Sequence, residues 1–219
     1  LGEHDAVLDL YDTAFRAEET DDGLDIANAA AMLTRLKIQG VECGQRWVRL
    51  TDVASTKTAE HILPFNDLHI MLALSGARDD AKAAAACESI ANHGGATGGT
   101  WGPMYRDIAQ PMADGIAAYG IGDYAAAAEK LGSVRYDWGV IGGSHAQRDV
   151  FQQMLIDATI KSGDARQARA LLAERASLRP QSAFDWKRLS EAAEAVGDVA
   201  TAARAAAAVQ RVSAASGAN

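Results

Sequence analysis

The residues best suited to acid–base chemistry follow two glycines at the start of a predicted helix. Ser144 and Gln147 have the S-x-x-Q spacing of a capping box, in which the serine oxygen accepts a backbone N–H and the glutamine reaches back. His145 then lies in the first helical turn, where the helix dipole favours a neutral imidazole that can act as a base. Asp149 follows four residues later on the same face and can hold the ring in one tautomer. The spacing predicts a His145–Asp149 dyad with Arg148 beside it.

A second polar group follows Pro64. Asn66, Asp67 and His69 lie in another predicted helix, and if the two helices face a common cavity this group adds hydrogen-bond donors and a second imidazole to the dyad. The opposite interpretation is structural: Asp67 helps to cap its helix, Arg148 and Asp149 pair with neighbouring helices, and both histidines are satisfied core or groove residues. His69 falls at a repeat position that a small residue usually occupies between two helices, which favours burial.

The sequence does not predict a metal site, a serine-hydrolase site or a phosphate-binding loop. No two of the five histidines have the H-x-x-x-H or H-E-x-x-H spacing, so we expect no metal site and no cofactor. Gly143-Ser144-His145 lacks the strand and the second glycine of a serine-hydrolase elbow. The glycine-rich segment 92–100 lacks the lysine of a phosphate-binding loop and follows an alanine-rich helix, which indicates a flexible insertion between repeats.

The composition predicts a helical protein and limits the classes of partner that we expect. Only 6% of the residues are aromatic while alanine is abundant, which favours closely packed helices over a sheet. A formal net charge of -8, with scattered basic residues, predicts no nucleic-acid partner. No run approaches the roughly 18 apolar residues of a membrane span, so we expect no membrane partner and a cytoplasmic location.

A recurring Gly-Asp turn indicates internal repeats. It occurs at 122–123, 163–164 and 197–198, and 34 residues separate Gly163 from Gly197, which is the period of a tetratricopeptide repeat. Glycine can end one helix in the left-handed conformation while the aspartate caps the next. We therefore predict an all-α fold of tetratricopeptide-like helix hairpins stacked as an α-solenoid. The predicted domain is single, 1–219, with less regular repeats over 1–141 and two regular units at about 149–182 and 183–216.

The apolar periodicity gives a helix map. The predicted helices are 5–20, 24–39, 42–55, 64–75, 79–92, 106–121, 123–133, 145–162, 164–177, 183–196 and 198–214.

Two segments carry a resemblance to a known family. Residues 64–69 (PFNDLH) and 142–151 (GGSHAQRDVF) resemble the two signature segments of the tetratricopeptide repeat protein 38 family. The resemblance extends over 25–47, 122–124, 135–136 and 171–175, so it covers nearly the whole chain. Because that family is about double this length, the resemblance implies that the chain is a C-terminal half. It implies a helical-repeat fold and no particular reaction.

A concave groove is the predicted ligand site. In the usual phase of such repeats, the first helices line a concave face. The residues predicted to turn into it are Asn66, Ile70, Met112, Tyr119, Gln153, Asp157, Lys161, Lys187 and Glu191. This polar surface with a few apolar anchors suits a peptide or a small polar molecule, although Lys187 and Glu191 fit a solvated helix face equally well.

Two functions follow from these patterns. The first is a helical-repeat binding protein for a peptide, a partner chain or a small polar ligand, with the missing N-terminal half or a second copy of the chain among the partners. Its predicted ligand contacts are Asn66, Asp67, Arg148, Met112, Tyr119, Gln153 and Asp157. The alternative is a cofactor-independent hydrolase or lyase that uses His145, Asp149 and His69, with Asn66 nearby.

Overall fold

The computed structural model describes residues 3–216, and every regular element in that range is a helix. The helices are α1 His4–Leu10, α2 Gly23–Ile38, α3 Gln45–Ala54, α4 Pro64–Gly76, α5 Asp80–Ala96, α6 Trp101–Pro103, α7 Gln110–Ile121, α8 Tyr124–Ser133, α9 His145–Lys161, α10 Ala165–Leu178, α11 Ala183–Ala195 and α12 Val199–Ser216. π-helical segments follow α1 (Tyr11–Phe15) and α6 (Met104–Ala109), and 3₁₀ turns lie at Ser55–Lys57 and Trp138–Ile141. The predicted all-α class is confirmed. None of the described helices combines the length and the apolar composition that crossing a membrane requires.

The chain forms two compact units, 1–155 and 156–219. In the first unit, α4 packs against α2, α3, α5 and α7. Pro64 occupies the first turn of α4, where its missing N–H costs nothing. The helix is apolar on nearly all sides, from Phe65 to Leu74, and a helix of that kind is stable only when it is surrounded by others. It forms the centre of this unit.

The second unit contains α10, α11 and α12, which pack in chain order. A buried ion pair joins α10 to α11: Arg175 Nε donates to Asp185 Oδ1 at 2.7 Å. Ser182 caps α11 by accepting the N–H of Asp185. The predicted single domain is not tested by this division and stays a prediction.

The Gly-Asp turns have the predicted local structure. Gly122, Gly163 and Gly197 have φ values of 86°, 86° and 73°, so each lies in the left-handed region. Each aspartate that follows then caps the next helix: the Oδ1 atoms of Asp123, Asp164 and Asp198 accept N–H groups three residues ahead, at 3.0–3.1 Å. The helix pairs α7–α8 and α11–α12 pack across these turns.

The C-terminal ends of two predicted helices differ from the structure by more than two residues. The helix predicted over 5–20 ends at Phe15, because Arg16 leaves the helical conformation and its side chain donates to the carbonyl of Thr20 at 3.0 Å. The helix predicted over 79–92 continues to Ala96, so half of the supposed flexible insertion is helical. Gly94 lies within this extension, where a β-carbon would lie 3.1 Å from Tyr105 Cβ, so glycine favours the close packing of the next segment.

Candidate functional site

A group of connected polar side chains surrounds Asp67, in the first turn of α4. The Asp67 cluster, as we name it, consists of His61, Asp67, Ser89, His93 and Tyr105. Asp67 is only 4% exposed, and its Oδ2 atom accepts two hydrogen bonds. One comes from the Tyr105 hydroxyl at 2.8 Å and the other from His61 Nδ1 at 3.1 Å.

Four separate segments position the cluster. His61 lies in the loop before α4, Ser89 and His93 are one turn apart on α5, and Tyr105 belongs to the π-helical segment that follows α6. His61 has a left-handed backbone, with φ of 46°, which is costly for a residue with a β-carbon. The local turn alone does not favour that conformation, so the packing of the imidazole has to hold it.

The hydrogen bonds continue from Asp67 through His61 to Ser89. His61 Nε2 lies 2.9 Å from Ser89 Oγ. An ionised carboxylate can only accept hydrogen bonds, so the Nδ1 atom facing Asp67 carries a proton. In the neutral ring, Nε2 is then the acceptor for the hydroxyl proton of Ser89. The three side chains form a continuous carboxylate–imidazole–hydroxyl chain.

His93 limits the movement of the His61 ring. The two imidazoles stack with centroids 4.5 Å apart, and His93 also meets the Tyr105 ring edge-on at 4.5 Å. The second contact of His93 is polar, since its Nε2 atom lies 3.2 Å from Thr97 Oγ1. Burial, and then the nearby His61, lower the pKa of His93, which favours a neutral ring in this stack.

Burial dominates the electrostatics at the centre of the cluster. It raises the pKa of Asp67, although the hydrogen bonds from Tyr105 and His61 act in the opposite direction. Burial also raises the pKa of Tyr105, and the adjacent carboxylate raises it further, so the phenol keeps the proton that it donates to Asp67. The cluster therefore holds a poorly solvated carboxyl group that accepts hydrogen bonds from Tyr105 and His61.

A cavity of about 210 Å³ lies beside the cluster, and we call it the Asp67 cavity. Its lining combines carboxylates, one lysine, one amide and an apolar wall: Asp21, Asp22, Gly23, Leu24, Ile26, Lys57, Glu60, Ile62, Asn66, Asp67 and Ile70. Lys57 forms ion pairs with Asp21 at 2.9 Å and Glu60 at 3.2 Å. Asp22 caps α2 by accepting the N–H groups of Leu24 and Asp25.

Gly23 and Asn66 meet at the wall of the Asp67 cavity. A β-carbon on Gly23 would collide with the side-chain amide of Asn66. Glycine at the first residue of α2 therefore leaves the space in which the Asn66 amide lies.

The predicted ligand contacts lie in different environments. Asn66 and Asp67 both line the cavity. Met112 is fully buried in α7, and Tyr119 is 6% exposed. Gln153 donates to Asp149 Oδ2 at 2.7 Å, while Asp157 pairs with Lys161 at 2.8 Å. A ligand contact at Met112 would require its helix to separate from its neighbours, and the ligand roles of these four residues stay predictions.

The capping box at the start of α9 is confirmed. Gln147 N–H donates to Ser144 Oγ at 3.3 Å, and Ser144 N–H donates to Gln147 Oε1 at 2.9 Å. His145 is exposed, with Nδ1 3.5 Å from Arg148 Nη2. Arg148 Nη1 in turn donates to the carbonyls of Gly142 and Gly143, which ties the glycine loop to the helix.

His69 lies in a different environment from His145. It is 1% exposed, its Nδ1 atom donates to the Phe65 carbonyl at 2.7 Å, and its ring packs against Phe65 and Phe151. The predicted burial of His69 is confirmed. The described hydrogen bonds do not join His69 to the exposed His145, and Asp149 accepts from Gln153. The catalytic role of His145, Asp149 and His69 stays a prediction.

The sequence pattern after Pro64 indicates Asp67 as a site residue but does not indicate its four partners in the cluster. They come from three segments, so no short motif contains them. One signal was present: His93-Gly94-Gly95 places a histidine beside glycines inside an alanine-rich helix, which indicates close approach of another segment.

The chemistry available here is recognition by a buried carboxylate and an amide, together with proton transfer along the imidazole. Among residues 3–216, no group of three or more His, Cys, Asp or Glu side chains is arranged to hold a metal ion. No protein-family model matches this chain, and no solved structure is significantly similar to it.

Proposed function

We propose that this chain is a tetratricopeptide-like helical-repeat protein of the tetratricopeptide repeat protein 38 family, and that it binds a small ligand in the Asp67 cavity. The 34-residue spacing and the capped Gly-Asp turns support the repeat assignment. The segments PFNDLH and GGSHAQRDVF support the family, and the first of them contains two residues of the cavity wall.

One observation carries the ligand proposal. Both hydrogen bonds described for Asp67 end on Oδ2, and Oδ1 has no partner among the described residues. Asp67 also lines the cavity. A carboxylate oxygen that accepts no hydrogen bond from the protein, in a side chain that lines a cavity, is available to a ligand with a donor group, and a charge-assisted hydrogen bond to it would favour binding.

The charge of the cavity favours a cation. Four carboxyl groups line it, against the single ammonium group of Lys57, which is already engaged by Asp21 and Glu60. Leu24, Ile26, Ile62 and Ile70 supply an apolar wall. The volume of about 210 Å³ is below the roughly 300 Å³ at which pockets for drug-sized ligands begin. The ligand class is therefore a small primary ammonium compound with a short apolar body.

Titration calorimetry of the full chain with butylammonium, and with the neutral butanol as the matched probe, tests this proposal. We expect binding of butylammonium only. Asp67→Asn should weaken it at least tenfold, since a hydrogen bond to a charged group contributes about 1.5–3 kcal/mol. Gly23→Ala should also weaken it, because the new methyl group displaces Asn66 without changing any charge.

The matched control is Asp80→Asn, which removes an exposed carboxylate on α5 outside the cavity lining and should leave the affinity unchanged. Equal binding of butylammonium and butanol would contradict the cationic ligand class. An unchanged affinity in Asp67→Asn would show that the cavity is not the site.

A further inference from the structure

We propose that Ser89 is a nucleophile for acyl transfer, with His61 as its general base and Asp67 as the group that orients His61. This activity does not require a ligand in the Asp67 cavity, although Asp67 belongs to both sites. Its substrates would be small esters with good leaving groups.

The proposal rests first on the geometry of the three side chains. Ser89 Oγ lies 2.9 Å from His61 Nε2, and His61 Nδ1 lies 3.1 Å from Asp67 Oδ2. Both distances are within the range for a nucleophile, its base and the group that orients the base. The order of atoms also matters, because the nitrogen that faces the hydroxyl is the one left without a proton when the other donates to the carboxylate.

The environment of Ser89 differs from that of an ordinary helical serine. A serine inside a helix commonly donates to a carbonyl of its own helix, as Ser133 does to the carbonyl of Lys130 at 2.7 Å. The hydrogen bond described for the Ser89 hydroxyl is instead with His61. Ser89 as a residue is half-buried, and the His61 side chain is 8% exposed.

The backbone of His61 supplies a second observation. Only His61 and Arg78 among the described non-glycine residues have positive φ values. Arg78 follows the end of α4, where the left-handed conformation is common. His61 does not follow an α-helix end, and such backbone strain costs free energy. The conformation places both ring nitrogens on their partners, and strain of this kind is concentrated at functional sites.

Two further residues, Tyr105 and His93, help to hold His61 in its orientation. Tyr105 donates to the same carboxylate oxygen as His61 and so fixes the Asp67 side chain. His93 stacks on the His61 ring. We assign both as positioning residues, since none of the described hydrogen bonds joins either of them to Ser89.

The reaction balances without any co-reactant except water. Ser89 Oγ attacks the carbonyl carbon of the ester as its proton passes to His61 Nε2. The bond between the carbonyl carbon and the leaving oxygen then breaks, and His61 gives that proton to the departing alcohol. Water attacks the acylated serine in the second step, transferring one proton to His61, which returns it to Ser89 as the free acid leaves.

The helix around Ser89 limits the rate. Its neighbouring N–H groups lie inside α5 and are used in helix hydrogen bonds, so they do not serve as oxyanion donors. The loss of one such donor typically lowers the rate by about 10²–10³. The expected activity is therefore acylation by activated reagents, slower than in enzymes with a complete oxyanion site.

The test is covalent labelling of the full chain by a fluorophosphonate, in which the serine oxygen displaces fluoride from phosphorus. Intact-mass analysis should show one adduct per chain, and peptide mapping should place it on Ser89. Ser89→Ala removes one oxygen and should abolish the adduct. His61→Gln should slow labelling at least 10²-fold, which is the usual contribution of a general base.

Ser133 provides the matched control, since it is more exposed than Ser89 and its hydroxyl is bound to a carbonyl. Ser133→Ala should leave the labelling rate unchanged. Labelling of Ser133 as fast as Ser89 would overturn the proposal, and so would an unlabelled Ser89 in a folded chain. Ser89→Ala leaves the lining of the Asp67 cavity intact, so this result is separate from the binding test.

Discussion

His69 is the residue on which burial has the clearest consequence for stability. It is 1% exposed between aromatic rings, and burial lowers its pKa from 6.5 to about 4. The ring is therefore neutral in the folded chain and binds a proton more readily after unfolding. Between these two pKa values the unfolded state binds more protons, so the free energy of unfolding rises with pH. The contribution of His69 to stability is therefore lost progressively as the pH falls below 6.5.

We expect the His69 contribution to fall by about 2 kcal/mol between pH 7.5 and pH 5, at about 1.36 kcal/mol per pH unit below 6.5. Urea unfolding of the natural chain and of His69→Asn at both pH values measures this contribution. Asparagine keeps a donor near the Phe65 carbonyl and does not titrate. The raised pKa of Asp67 acts in the opposite direction, but it is present in both chains and cancels in the difference. Equal pH dependence of the two chains would contradict the assignment.

The sequence predicts individual residues of the candidate site better than it predicts their partners. Asn66 and Asp67 were found from the polar group after Pro64, and both line the cavity. His61 was not found, because its role depends on a left-handed backbone and on Ser89, 28 residues away. Contacts of that kind come from packing between helices. The apolar periodicity of one segment gives no information about them.

Gly76 and Trp47 show how one missing side chain sets the distance between two helices. Gly76 is the last residue of α4, and a methyl group there would overlap the Trp47 ring on α3. The ring is rigid and only 7% exposed, so it cannot move aside into solvent. Close packing of α3 on α4 therefore requires glycine at this position.

Gly76→Ala should lower the free energy of unfolding by about 2 kcal/mol, as overpacking of a core usually does. The matched substitution is Gly95→Ala, also near the end of a helix, where a new β-carbon has no heavy atom within 4 Å. That change should raise stability by about 0.5 kcal/mol, because alanine loses less backbone entropy than glycine. Urea unfolding of both variants gives the comparison, and destabilisation of equal size in the two would contradict the packing argument.

The sequence predicts the bounds of a helix well where residues within that helix define them. The helix predicted over 64–75 is Pro64–Gly76, since a proline and a long apolar run define it. Glycines at 94 and 95 indicate that another segment approaches this helix closely, but the sequence does not identify that segment, which contains Tyr105. The residues of a turn can be recognised from the local sequence, whereas a glycine inside a helix is required by contacts with another segment.

The charge of the whole molecule bears on its partners. The formal net charge is -8, and the isoelectric point is near 5.1. Association with DNA gains free energy when basic side chains displace counterions from phosphates, and a chain of this charge is repelled instead.

Fluorescence anisotropy of a labelled 20-base-pair duplex should therefore remain constant up to about 100 µM protein at 50 mM NaCl, a range in which most non-specific DNA-binding proteins are bound. A basic DNA-binding protein measured in the same buffer is the positive control. A saturable rise that weakens steeply with added salt would contradict this prediction.

The division of the chain into compact units was not visible in the sequence. The repeat spacing predicts one domain of consecutive hairpins, which stays a prediction. The packing of the helices groups residues 1–155 and 156–219 into two compact units. This division depends on which helices pack together, and Gly-Asp turns of the same kind occur in both parts.

Those turns have a consequence for how quickly the chain folds. Only two or three residues separate α7 from α8, α9 from α10 and α11 from α12, so closing each connection costs little chain entropy. Topologies dominated by such local contacts have a low relative contact order and refold within microseconds to milliseconds. The α7–α8 and α11–α12 hairpins should therefore form early, before the distant segments that build the Asp67 cluster come together.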